Sequence, residues 1–185
     1  MIDYARQQYG HFKKVEFRVL DIGARQNLPR DLKHQFDHVT SFYTLMWVQN
    51  QRQALKNIYK LLRPQGGDCL LVFLASHPLY DAYKMTSRMS EWSKYMHDVD
   101  SIISPLHYVR EPQQEYAALM ADVGFSKFKV KLQHKTFDYK SFEVFRANMK
   151  AVNPFLDRIP PALHSDFMDD VMLMLLKHLG LTVQE

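Results

Sequence analysis

Trp47 is the residue in this chain best suited to chemistry, and it sits in a run, FDHVTSFYTLMWVQ (residues 36–49), whose other members bear on it. An indole N–H only donates, and its ring covers apolar surface. A tryptophan in a loop can therefore hold a carboxylate beside an apolar body, or simply pack. Met46 adjoins it and Gln49 follows two residues on, either as a helper or as a flank of the next helix. Ser41, Phe42 and Tyr43 fall where a strand should end, which is where open α/β sheets keep nucleotide-type ligands. Aromatic residues there serve equally as core. Asp21 ends an earlier strand-like run and reads either as a ligand carboxylate or as the cap of the following turn. A nucleotide cradle needs glycines so that backbone can approach the ligand, and the six here (10, 23, 66, 67, 124 and 180) contain no G-x-G. His34 and His38 are four apart, but they straddle a loop and a strand and no carboxylate or thiol joins them, so no metal site is expected.

These residues need elements to position them. Residues 1–10 read as the back half of a helix stopped by Gly10. Residues 15–21, VEFRVLD, alternate as a strand does, and residues 24–35 are polar with Pro29 and a short helical turn. Residues 38–43 predict a buried strand, and Asn50 is a good N-cap for a helix that buries Ala54, Leu55, Ile58, Leu61 and Leu62. Pro64 and Gly66-Gly67 end that helix. The apolar run at 68–75 predicts a parallel strand covered on both faces, with Cys69 as a small core residue. Strand, helix, strand implies a right-handed crossover. Residues 78–108 then bring Tyr80, Met85, Trp92, Met96, Ile103 and Tyr108 on short helices and a loop. Helices are expected at 112–123, closed by Gly124, and at 140–150 and 161–179, with a further strand at 125–133. One α/β domain with a helical insertion follows.

At 185 residues and 46% hydrophobic, the chain can build one proper core. Its net charge of +4 is scattered, which speaks against a nucleic-acid footprint. A single cysteine excludes an intrachain disulfide and fits a reducing compartment, and no apolar run is long enough to span a bilayer. The N-terminus is no secretory signal, so a soluble cytoplasmic protein is expected.

The runs FRVLDIG, residues 36–84, DVDSIISPLHYVREP and KAVNPFLDRIPPALHSDFMDD resemble the insect juvenile hormone acid O-methyltransferase family over essentially the whole chain. The resemblance implies a class I methyltransferase dependent on S-adenosyl-L-methionine, with a Rossmann-like α/β sheet lacking its first strands and a helical lid insertion. It implies a single partial domain: residues 1–77 as the later part of the cofactor core, 78–110 as a substrate lid, and 111–185 as remaining helices and strand. By the same resemblance a glycine-rich loop and a ribose-binding acid lie upstream of residue 1, and a further strand lies beyond residue 185. Asp21 and Ile22 would meet the adenine, Ser41, Phe42 and Tyr43 would line the cofactor, and Trp47 would anchor the acceptor carboxylate, with Met46 and Gln49 beside it. Tyr80, Met85, Trp92, Met96, Ile103 and Tyr108 would line a long apolar pocket, or build plain helix core. Met46 departs from the family pattern, which has His there. Asn153-Pro154-Phe155 resembles the N-P-P-[FY] of nucleic-acid methyltransferases but lies far downstream of the strand end where that motif acts.

A carboxylic acid is already ionised at neutral pH, so no general base and no nucleophile–His–Asp constellation is expected. The protein has to align donor, methyl and oxygen and keep water out. The leading expectation is a carboxyl O-methyltransferase for juvenile hormone acid or farnesoic acid, with this chain alone weakly active or inactive. The rivals are a methyltransferase for another small carboxylic acid and a non-catalytic remnant that binds an apolar ligand. No nucleic-acid or membrane partner is expected, and oligomeric state is not readable.

Overall fold

The computed structural model describes residues 1–25 and 28–181. After α1 (Ile2–Tyr9), its framework is a parallel strand–helix–strand unit. β1 (His38–Phe42) and β2 (Asp68–Val72) pair in register from His38 opposite Asp68 to Phe42 opposite Val72. An isolated bridge between Phe36 and Leu62 precedes the ladder. α2 (Gln51–Leu61) connects the strands. Asn50 caps it by accepting the Gln53 N–H at 3.0 Å, and Ala54, Leu55, Ile58 and Leu61 form its buried stripe. Gly66, with φ at 86°, makes the left-handed turn that returns the chain to β2.

Side chains alternate across a strand, so Val39, Ser41, Cys69 and Leu71 share one face of this sheet. α2 covers that face through Ala54, Ile58 and Leu62, and α4 (Pro112–Val123) extends the cover through Tyr116 and Met120. Gly124 closes α4 in the left-handed conformation. The remaining helices, α3 (Pro78–Thr86), α5 (Phe142–Ala151) and α6 (His164–Leu179), pack into a second core around Tyr83, Phe155, Phe167 and Met168. Each fully buried aromatic of this kind stabilises the fold by about 1.5–3 kcal/mol.

Several expectations are corrected. Residues 15–21 and 125–133 form no strand, because neither finds a partner backbone among the described residues. β2 ends at Val72 and is covered on one face only; Phe42, Leu70 and Val72 on the other are exposed. Gly10 stops α1 in the ordinary right-handed region. The helices expected at 140–150 and 161–179 form as α5 and α6, the latter preceded by a short turn at Pro161–Leu163. Among the described residues no helix is long and apolar enough to cross a membrane.

Candidate functional site

The chain leaves β1 through Tyr43, whose φ of 51° swings it off the sheet while its N–H still donates to Val72 O at 2.8 Å. The short helical turn Leu45–Trp47 follows, with Leu45 and Met46 buried and Trp47 half-buried. Gln51, at the first position of α2, pins this turn from within: its amide donates to Leu45 O and Val48 O, both at 2.6 Å. Tyr43, Met46 and Trp47 form one wall of a cleft of about 360 Å³, and residues 151–154, where α5 ends, form the other. The walls are mostly apolar. Among the described residues the indole N–H of Trp47 meets no acceptor, whereas that of Trp92 donates to Asp170 at 2.7 Å. A tryptophan with a free N–H in the wall of an apolar cleft is suited to an amphiphile with an anionic head.

Beside this turn lies the 21–24 turn. Asp21 is exposed, and its Oδ1 accepts the Gly23 N–H at 2.9 Å, the geometry of a turn cap. Ile22 packs with Val48 and the sheet. Gly23 is needed here because a Cβ at this position would lie 2.8 Å from Val48 Cγ1. The turn is hung from α2 by Asn57, 2% exposed, whose Nδ2 donates to Ile22 O at 2.8 Å and Ala24 O at 3.0 Å. Gln53 Nε2 in turn donates to Asn57 Oδ1 at 3.0 Å.

On the α3 side, the Tyr80 ring meets Trp47 edge-on at 6.3 Å and His107 at 5.1 Å. Burial pushes the Tyr80 phenol up to about 12. His107, with a 4% exposed side chain, joins Ser76 Oγ at 2.8 Å through Nδ1 and Asp81 Oδ2 at 2.9 Å through Nε2. The structure thus holds a serine–histidine–aspartate run that the sequence reading did not expect. Asp81 also accepts the Tyr108 hydroxyl at 3.0 Å and lies 3.4 Å from His178 of α6. His77 caps α3, accepting the Leu79 N–H on Nδ1 at 3.1 Å, and burial, then His107, lowers its pKa.

Of the residues singled out from sequence, Trp47, Met46 and Tyr43 meet in the cleft, and Asp21 and Ile22 stand nearby on their own turn. Ser41 and Phe42 lie on opposite faces of β1, Ser41 toward α2 and Phe42 outward, 54% exposed. Tyr80, Trp92, Met96 and Ile103 are buried in the helical core, Met85 is half-buried and Tyr108 is exposed; none of these lines the cleft. Gln49 reaches away from the cleft, to the carbonyls of Ser101 and Ile103. Sequence reasoning missed Gln51, Asn57 and the 151–154 wall. Asn153 stands in that wall, but its Oδ1 accepts the Phe155 N–H at 2.9 Å and its Nδ2 faces Met168 Sδ at 3.6 Å, so its amide serves the turn. The signal for Gln51 and Asn57 was present: both are polar residues on the apolar stripe of α2. Cys69 is half-buried against α2, and burial raises its thiol pKa. Among the described residues no three His, Cys, Asp or Glu side chains cluster as metal ligands would.

Comparison with known proteins gives this geometry a context. A family profile described as a methyltransferase domain matches residues 1–68, which include the 21–24 turn, β1, the Trp47 turn and α2. A juvenile hormone acid O-methyltransferase of Drosophila melanogaster is 48% identical over 170 residues, 92% of this chain and 57% of the relative. One from Bombyx mori is 40% identical over the same 92% of the chain and 59% of its own length. The chain thus spans under three fifths of the length of these curated relatives. Over 92% of its length the chain is similar to these insect juvenile hormone acid O-methyltransferases, and its first 68 residues match the methyltransferase domain profile.

Proposed function

We propose that the chain serves S-adenosyl-L-methionine-dependent methylation of an apolar carboxylic acid, juvenile hormone acid or farnesoic acid. The observation that carries this reading is that Trp47, whose indole N–H meets no acceptor among the described residues, lines the apolar cleft. Trp47 receives one oxygen of the acceptor carboxylate there, and Tyr43, Met46 and residues 151–154 take the first part of the apolar chain. Met46 stands where the related pattern has His, so the wall beside the carboxylate is apolar. Residues 78–110 act as the lid, with Tyr80 backing Trp47.

The residues present fit the adenosyl end of the cofactor. Asp21 is exposed and has an oxygen beyond its bond to Gly23, Ile22 adds an apolar surface, and Ser41, Phe42 and Tyr43 end β1 close by. The cofactor supplies an electrophilic methyl on a sulfonium. The chain's own part is to fix the carboxylate on Trp47 and to keep water from it. The chain contains no glycine turn of G-x-G type, so the unaided 185-residue chain is expected to bind the cofactor weakly.

A short polycarboxylate is disfavoured as acceptor. Lys84 pairs with Asp100 at 3.0 Å and lies over the Tyr108 ring, and Lys94 lies over Tyr95, so these two cations of the lid already have partners. The test is calorimetric titration of the chain with farnesoic acid, farnesol and S-adenosyl-L-methionine. Acid is expected to bind about tenfold or more tighter than alcohol, as a hydrogen bond to a charged group would give, and Trp47→Phe should erase that preference. Equal binding of acid and alcohol, or a preference that survives Trp47→Phe, overturns the reading. A low-micromolar cofactor dissociation constant overturns the expected weak donor binding.

A further inference from the structure

Gln49 leaves its own element to bind another. Its Nε2 donates to Ser101 O at 2.7 Å and to Ile103 O at 2.9 Å, so both amide hydrogens are committed and neither remains for a substrate carboxylate. The two carbonyls belong to a strap, residues 98–103, rolled up by its own N–H groups: Ser101 donates to Asp98 O at 2.8 Å and Ile102 to Val99 O at 3.0 Å. Val99 and Ile103 bury the inner side of the strap in the core against which Trp47 packs. At its far end Asp98 accepts from Arg158, with Nη2 at 3.1 Å, and the arginine side chain also lies over the Phe155 ring. Phe155 directly follows the 151–154 wall of the cleft.

The strap therefore joins the two cleft walls, through Gln49 to the Trp47 turn and through Asp98–Arg158 to the segment behind residues 151–154. We propose that Gln49 is a positioning residue, which clips the 98–103 strap to the Trp47 turn and thereby sets the width of the cleft and the pose of the acceptor acid. This rests on the reading of the cleft as an acceptor site. Deleting the donors frees two carbonyls and lets the strap swing, while the contacts of Trp47 with Tyr80 stay in place.

The test compares the chain with Gln49→Glu, which keeps the shape but offers no donor, and Gln49→Met, which also carries no charge. Hydrogen exchange at the Ser101, Ile102 and Ile103 amides should quicken about tenfold or more, the loss of two hydrogen bonds, while α4 and α6 keep their rates. Farnesoic acid should bind about tenfold more weakly to both variants, and Arg158→Met should loosen the same amides from the other end. Unchanged exchange at 101–103 overturns the clip, and so does a rise shared equally by α6, which would mean general destabilisation. Faster exchange with unaltered acid binding overturns the positioning role. If the unsubstituted chain binds no farnesoic acid, the acceptor-site reading fails by itself, and the positioning role fails with it, whereas the exchange rates still decide the clip.

Discussion

Asn57→Ala is the substitution for which the structure makes its firmest demand. The side chain is 2% exposed and makes three hydrogen bonds: two from its Nδ2, to Ile22 O at 2.8 Å and Ala24 O at 3.0 Å, and one into its Oδ1, from Gln53 at 3.0 Å. At about 1 kcal/mol for each bond lost, with a further penalty for carbonyls left facing a methyl group, the cost is about 2–4 kcal/mol. Asn57→Asp sharpens the argument, since a carboxylate of the same shape turns lone pairs toward two carbonyl oxygens. It should cost at least as much at neutral pH, and lose part of that deficit as acid protonates it and restores one donor. Urea unfolding gives the stability change as a shift of midpoint at constant slope. Trypsin supplies a local readout, because the exposed Arg25 closes the tethered turn: in Asn57→Ala it should be cut there before the rest of the chain. Phe155→Ala, which empties the helical core instead, should lower stability without favouring that cut. A loss for Asn57→Ala below about 0.5 kcal/mol, or a cut no faster than in Phe155→Ala, refutes the idea that this amide carries the turn.

Two further outcomes follow from the same neighbourhood. Gly23→Ala sets a Cβ 2.8 Å from Val48 Cγ1 and should destabilise by about 1–2 kcal/mol, whereas in a Val48→Ala background the clash is gone and the cost should vanish; a double-mutant cycle in urea showing no coupling would count against the close approach. His77 must be neutral at Nδ1 to accept the Leu79 N–H, and its pKa is lowered by burial and by His107, so the unfolded chain binds its proton more readily. Stability should therefore fall as pH drops through the unfolded value near about 6.5 toward the lower folded one. His77→Asn, which caps without titrating, should flatten that part of the profile, and parallel profiles for the two chains would refute it.

What was legible in the sequence was what is local. α2 and α4 announce themselves by apolar spacing, Asn50 by its place before the first periodic residue, and Gly124 by its place after the last. Alternation at 15–21 and 125–133 reports only that such a chain has two faces. A strand exists where another backbone takes up its hydrogen bonds, and none does so there among the described residues. The bracing amides were illegible for a related reason. Gln49 meets carbonyls 52 and 54 residues away, and Asn57 meets carbonyls 35 and 33 residues away, and nothing in local spacing encodes such a partner. The clue available was composition on a face: Gln51 and Asn57 interrupt a stripe that is otherwise Ala, Leu and Ile, and a buried polar group needs a partner. The residues from 80 to 108 named for a pocket lie outside the cleft, and spacing alone could not place them, since large apolar side chains on short helices fit core and ligand wall equally.

The serine–histidine–aspartate run beside Trp47 has the residue types of acyl transfer, and its surroundings argue otherwise. A nucleophilic serine needs donors placed for the oxyanion that forms after attack. Ser76 precedes α3, whose first residue, Pro78, has no N–H and whose second, Leu79, gives its N–H to His77. Asp81 is moreover shared among His107, Tyr108 and His178, which spreads one carboxylate over the 107–108 loop and α6. That is the arrangement of a tie between elements, and the elements it ties are those that back Tyr80 and, through it, the Trp47 ring. Methyl transfer to a carboxylate asks for no proton to be taken, because the nucleophile is ionised before it arrives. What it asks for is that a donor N–H, an apolar wall and a closed approach keep one geometry. Under the proposed reading that geometry is held by the amide N–H groups of Gln51, Asn57 and Gln49, which fix the turns and the strap around the cleft, and by Asp81, which fixes the ring behind it.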